Sequence, residues 1–191
     1  MRLFIAANLS EEIKDLLSTK TTILKTQINE NLRWVKRDNF HITLKFLGET
    51  VPGLVPGIKK AILEITNNWQ QIPLSFKGVA AFPHLGAPRT IFIALDQGIV
   101  ELNRLQQNLS LQLLDLGFEN SAQPYRPHLT IARCSRNSKT NVVASKLKSL
   151  TDLDFFDLKT KINKISLIKS ELSPKGPIYQ EIYSARLLPF T

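Results

Sequence analysis

The chain has 191 residues, 43% of them apolar, with 25 Lys+Arg against 16 Asp+Glu for a formal charge of +9. That apolar share supports a packed core and excludes wholesale disorder, and the length suits one large domain or two small lobes. A single cysteine, Cys134, excludes an intramolecular disulfide and a multi-cysteine zinc site, and no apolar run approaches the ~20 residues of a membrane span. A soluble, cytoplasmic protein is expected, a monomer in the absence of long heptads and with no membrane partner.

In chain order, residues 3–7 read as a buried strand. Ser10 is placed to cap a helix whose first turn holds Glu11 and Glu12 at the positive end of its dipole, with Ile13, Leu16, Leu17 and Leu24 on the inner face. Arg33-Trp34-Val35 is a short extended piece, and Phe40 to Leu47 a strand closed by Gly48. Pro52-Gly53 and Pro56-Gly57 mark a turn before a helix over Ile58–Ile65. Strands follow over Leu74–Ala81 and Thr90–Leu95, joined by the turn-rich Pro83-His84-Leu85-Gly86-Ala87-Pro88. Leu102, Leu105, Leu109, Leu113 and Leu116 form one face of a helix ending near Gly117. Next come a strand at His128–Ala132, a short helix at 140–150, and strands at 153–158, 162–171 and 178–187. Strands outnumber helices, and many of their connections are too short for parallel crossovers, so the class is α+β with antiparallel sheets.

Of three histidines, two open the same tetrapeptide, His-apolar-Thr-apolar: His41-Ile42-Thr43-Leu44 and His128-Leu129-Thr130-Ile131. The alternative to a shared purpose is two unrelated core histidines on strands. Strand alternation puts His41 with Thr43 on one face and His128 with Thr130 on one face, and sends Ile42, Leu44, Leu129 and Ile131 to the other. Should the two strands lie side by side, two imidazoles and two hydroxyls converge. Two groups titrating near pH 6.5 can divide acid–base work, one neutral and one protonated, and hydroxyls can donate to an anion between them. The constellation suits water attack on a phosphodiester, where charge builds on the phosphoryl oxygens. No HExxH or carboxylate cluster accompanies either histidine, so no metal is expected. Cys134 reads as a small strand residue and His84 as an exposed loop residue.

The segments Arg33-Trp34-Val35, Asn39 to Glu49 and Tyr125 to Arg133 resemble the two signatures of the 2H phosphoesterases. The closest branch is the LigT-type RNA 2′,3′-cyclic phosphodiesterases, also known as the 2′-5′ RNA ligase family. Arg2-Leu3-Phe4-Ile5-Ala6 is similar to that family's opening strand, and Leu172 to Tyr179 to its closing hairpin. The resemblance implies a single bilobal domain over 1–191: two antiparallel sheets related by a pseudo-twofold, helices outside, and a central cleft. It implies metal-independent, cofactor-free opening of RNA 2′,3′-cyclic phosphate ends to 2′-phosphomonoesters, with reversible 2′-5′ ligation in some members. In that reading His128 is the base, His41 the acid, and Thr43 and Thr130 hold phosphate oxygens.

The motifs also correspond five residues past each histidine, at Phe46 and Arg133. Simple alternation turns both away from the cleft; a bulge after the fourth motif position would turn both inward. Arg133 would then clamp phosphate and Phe46 offer a face to the terminal base, its alternative being a core position. Residues 126–191 hold 12 basic and 5 acidic residues, against 13 and 11 in 1–125. Lys139, Lys146, Lys148, Lys159, Lys161, Lys164 and Lys169 are therefore candidates to follow an RNA backbone. Other substrates compatible with the pattern are small cyclic nucleotides, ADP-ribose cyclic phosphate and 2′-5′ oligoadenylate. A non-catalytic RNA-binding module is a further reading, though simple binding does not require two matched acid–base groups.

Overall fold

The computed structural model describes residues 1–150, 155, 157–174 and 176–190. Strand β1 (Arg2–Asn8) opens the chain and is buried on both faces, which its unbroken Leu3-Phe4-Ile5-Ala6-Ala7 run requires. Helix α1 (Glu11–Ile28) is capped by Ser10, whose hydroxyl accepts from the Ile13 amide. Its inner stripe is Ile13, Leu17, Thr21, Leu24 and Ile28. Leu16, expected on that face, is 47% exposed, because it sits about a quarter turn away from Leu17 and off the stripe.

Strand β2 (Leu32–Trp34) and a short 3₁₀ turn lead into β3 (His41–Glu49). Helix α2 spans Val55–Asn67, so Pro56-Gly57 belongs to its first turn instead of preceding it. Proline fits there because first-turn amides have no intrahelical acceptor, and Gly57 leaves room for Leu116, whose Cδ2 would lie 2.8 Å from an added Cβ. Strands β4 (Ile72–Phe82) and β5 (Thr90–Gln97) form a hairpin around the expected turn. Helix α3 (Ile99–Leu114) stops short of Leu116, and Gly117 at φ +84° ends the connection. Strand β6 (His128–Cys134) and helix α4 (Thr140–Ser149) follow as expected.

The strand expected at 153–158 falls where 151–154 and 156 lie outside the described residues. The strand expected over 162–171 divides at Asn163 into β7 (Lys159–Ile162) and β8 (Lys164–Ser173), and β9 runs from Gly176 to Arg186. The division lets the two strands serve opposite edges: β7 pairs with β4, and β8 pairs with β1.

The strand order is β7-β4-β5-β6-β3-β1-β8-β9, with β2 on β6, and every pairing between these strands is antiparallel. The two expected sheets are the wings of this one sheet, β3-β1-β8-β9 and β6-β5-β4-β7. They join through one register pair, Ile42 with Leu129. The wings correspond: β3 to β6, β1 to β5. Apolar faces of all four helices and one sheet face share a continuous core, to which Ile42, Leu44, Leu129 and Ile131 belong. On the opposite face Phe4, Ala6 and Ile168 form a small separate cluster with Tyr179.

Candidate active site

His41 and His128 are the first residues of the two strands at the wing junction. Their inner neighbours, Ile42 and Leu129, form the joining pair. One step to either side, antiparallel order sets Thr43 against His128 and His41 against Thr130. All four of these side chains are half-buried, while their apolar neighbours are fully buried. The sheet thus brings together the two imidazoles and two hydroxyls from motifs in different halves of the chain.

Each imidazole is held the same way. His41 Nδ1 lies 2.7 Å from the carbonyl of Asn39, and His128 Nδ1 lies 2.7 Å from the carbonyl of Arg126. A carbonyl can only accept, so Nδ1 carries the proton and Nε2 is the lone-pair nitrogen of the neutral ring. His41 Nε2 accepts from the Thr43 hydroxyl at 3.0 Å. Asn39 is itself positioned by a 3₁₀ turn that Arg37 ties to Glu11 and Asp15 of α1.

Aromatic rings flank both imidazoles. Phe4 and Tyr179 stand 4.9 and 5.5 Å from His41, and Phe82 and Phe92 stand 4.9 and 5.0 Å from His128, centroid to centroid. Burial among these rings pushes His41 down to about 4; the Asn39 carbonyl works the other way, and the positive charges of Lys14, His128 and Arg133 add to the depression. His128 is lowered too, first by burial, against the Arg126 carbonyl and with the help of Arg133. These four rings come from four strands, and nothing in the linear pattern marks them.

The bulge on which Phe46 and Arg133 depend is present in both strands. Ile5 pairs with Lys45 and Ala6 with Thr43, leaving Leu44 as the extra residue; Ile91 pairs with Ala132 and Phe92 with Thr130, leaving Ile131 extra. Both are the fourth motif residue. The extra residue reverses the alternation, so Phe46 is 68% exposed and Arg133 is exposed, while Ala132 is buried. Arg133 donates to the Thr90 hydroxyl at 3.0 Å, and its charge bears on both imidazoles and on Tyr179.

The same reversal buries Lys45, a residue that the alternation argument passes over. Its ammonium donates to Ser110 Oγ at 3.3 Å, the Glu119 carbonyl at 3.0 Å and Asn120 Oδ1 at 3.3 Å. A cavity of about 1360 Å³ opens beside His128, lined in part by Thr43, Lys45, Phe46, Phe82, Arg89, Arg126 and His128. Of the seven lysines proposed to track RNA, none lines this cavity. Lys146 instead donates to the Ile28 carbonyl, and Lys164 and Lys169 pair with Glu181 and Glu171. His84 is an exposed loop residue accepting from the Gly86 amide, and Cys134 is half-buried with its thiol pushed up by burial.

Residues 22–174 match the family model of the 2′-5′ RNA ligase superfamily. The chain belongs to this superfamily. Among its relatives, the RNA 2′,3′-cyclic phosphodiesterase of Archaeoglobus fulgidus is 32% identical over 95% of this chain and 98% of that protein. The protein of the same name from Methanocaldococcus jannaschii is also 32% identical, over 95% and 98%. In fold the chain is similar to TT0787 of Thermus thermophilus, with a TM-score of 0.76 at 24% identity over 98% of each chain. It is likewise similar to E. coli LigT complexed with 3′-AMP, with a TM-score of 0.73 at 20% identity over 97% of each. No described helix is long and apolar enough to cross a membrane.

Proposed function

We propose that this protein hydrolyses RNA 2′,3′-cyclic phosphate ends to 2′-phosphomonoesters, with His128 as base and His41 as acid. The observation that carries this reading is the matched pair of imidazoles on one sheet face, each fixed through Nδ1 so that Nε2 is the reactive nitrogen. The relatives named RNA 2′,3′-cyclic phosphodiesterase, at up to 32% identity, support the substrate.

A water proton passes to His128 Nε2 as the oxygen attacks phosphorus. The P–O3′ bond breaks and O3′ takes a proton from His41, leaving a 3′-hydroxyl and a 2′-phosphate. Thr43 and Thr130 donate to the non-bridging oxygens, and Arg133 supplies positive charge where negative charge builds. Thr43 donates to His41 at 3.0 Å, and a phosphate oxygen bound beside it redirects this hydroxyl. The anionic phosphate then favours the imidazolium on His41 that the apolar surroundings oppose. With the 5′-hydroxyl of a second RNA in place of water, the same steps form a 2′-5′ linkage: its proton passes to His128, O5′ bonds to phosphorus, and O3′ leaves with the proton of His41. Each wing contributes one histidine, so the two lobes act as a single catalytic domain.

Incubation of the protein with a short cyclic-ended RNA, in the presence of chelator, tests the reading. The expected product is the 2′-phosphate at an undiminished rate; a 3′-phosphate product would mean that the other ester bond breaks. In single-turnover assays His41→Ala and His128→Ala are each expected to slow hydrolysis by roughly 10²–10⁴. Near-normal turnover by either variant removes that histidine from the mechanism.

A further inference from the structure

The cavity beside His128 is larger than a cyclic phosphate end requires. Pockets for small organic ligands run to roughly 300–1,000 Å³, and this one is about 1360 Å³. It extends from His128 and Thr43 past Phe46 to Ser110 and Gln106 of α3 and to residues 119–126. Its charge is one-sided. Lys45, Arg89 and Arg126 line it, and Glu119 is the one carboxylate on that wall among the described residues.

Lys45 is the unusual member. Its side chain is 8% exposed and its three contacts are neutral oxygens, with no carboxylate partner among the described residues. Burial of such a group costs free energy that a nearby anion would recover, and it lowers the affinity of Lys45 for its proton. The ammonium has three hydrogens and three acceptors, so it holds the 119–120 wall against β3 and acts on a ligand through its charge. Nearby, the buried Tyr125 hydroxyl has no hydrogen-bond partner among the described residues and lies on the same wall. Arg89 and Arg126 are exposed, so their guanidiniums are free to make direct phosphate contacts.

We propose that this cavity is a second anion site, which takes the internucleotide phosphates and nucleotides upstream of the cyclic end. Arg89 and Arg126 make the phosphate contacts, and Lys45 is the positioning residue that fixes the wall and sets the field. The proposal rests on the function proposed above and adds a preference: the substrate is an oligonucleotide end, and a mononucleotide leaves most of the site empty.

Binding and turnover as a function of chain length test it together. Anisotropy competition with 2′-phosphate-ended RNAs of one to five nucleotides is expected to show affinity rising on the order of tenfold between one and three nucleotides, the gain of about one charge-assisted contact. That gain shrinks with added salt and with an uncharged methylphosphonate at the upstream linkage. Arg89→Gln and Arg126→Gln lower the ratio of trinucleotide to mononucleotide affinity towards one. Lys45→Met lowers the same ratio, with circular dichroism to establish that the variant is folded. Equal affinity at all lengths, or a ratio unchanged in both arginine variants, overturns the proposal. Length-dependent binding without hydrolysis at any length leaves the groove standing and removes the catalytic reading instead.

Discussion

His41 and His128 differ in their surroundings more than in their motifs. Both sit below the ordinary imidazole value, His41 at about 4, so kcat/KM requires one protonated and one neutral ring from a pair whose affinities both lie under ~6.5. The bell-shaped profile is therefore expected to peak on the acid side of neutrality and to decline through pH 7. The kcat profile, which reports the enzyme with phosphate bound, is displaced to higher pH because the anion stabilises the imidazolium. A kcat/KM flat from pH 5 to 8 would contradict this. Phe46 and Phe4 make a second contrast. At 68% exposure, Phe46→Ala is expected to leave stability within about 0.5 kcal/mol while weakening RNA binding by ~1–3 kcal/mol through lost stacking. At 3% exposure, Phe4→Ala is expected to cost about 3–5 kcal/mol in urea unfolding.

Among the elements, the paired bulges at Leu44 and Ile131 do the most to shape the site. Each strand presents the parity of His and Thr before the bulge and the opposite parity, that of Phe46 or Arg133, beyond it. The histidine–threonine faces were legible from two-residue periodicity, but the bulge was only a condition, since hydrogen-bond register between strands is not written in either strand alone. Lys45 illustrates the consequence: alternation places it beside His41 and Thr43, and the register buries it under α3. The turn into α3 depends on a different constraint. Gly98 has φ +90°, and a Cβ there would lie 2.6 Å from the Pro73 carbonyl oxygen; at Gly48, with φ +68°, nothing lies within 4 Å. Gly98→Ala is expected to lower unfolding stability by well over ~1 kcal/mol, and Gly48→Ala by about 1 kcal/mol, as strain without a clash.

At the level of the whole molecule, the wings are interleaved in the chain. Strand β8, near the C-terminus, pairs with Leu3–Ala7 of β1 and buries Ile165 and Leu167 in the common core. A chain ending at residue 158 retains both histidine motifs and is expected to lose its cooperative thermal transition by circular dichroism. Retention of a native-like transition would mean that the wing closes without β8. Acid should also weaken the fold. Between about 4 and the ordinary ~6.5, His41 binds fewer protons folded than unfolded, so its contribution is intact above ~6.5 and falls as pH drops towards 4. His41→Asn is expected to flatten that part of the stability profile.

Local pattern carries the α+β class, most elements, the superfamily resemblance and the paired His-x-Thr faces, because periodicity and repeated motifs are properties of short stretches of chain. Packing alone makes the two wings meet at Ile42 and Leu129, turns Phe46 and Arg133 towards the histidines, and gathers aromatic rings from four strands around both imidazoles. None of the seven second-half lysines proposed to track RNA lines the cavity, and several are engaged elsewhere, whereas Lys45, Arg89 and Arg126 line it. Register, burial and electric field arise from segments far apart in sequence, and they take values only once those segments are packed together.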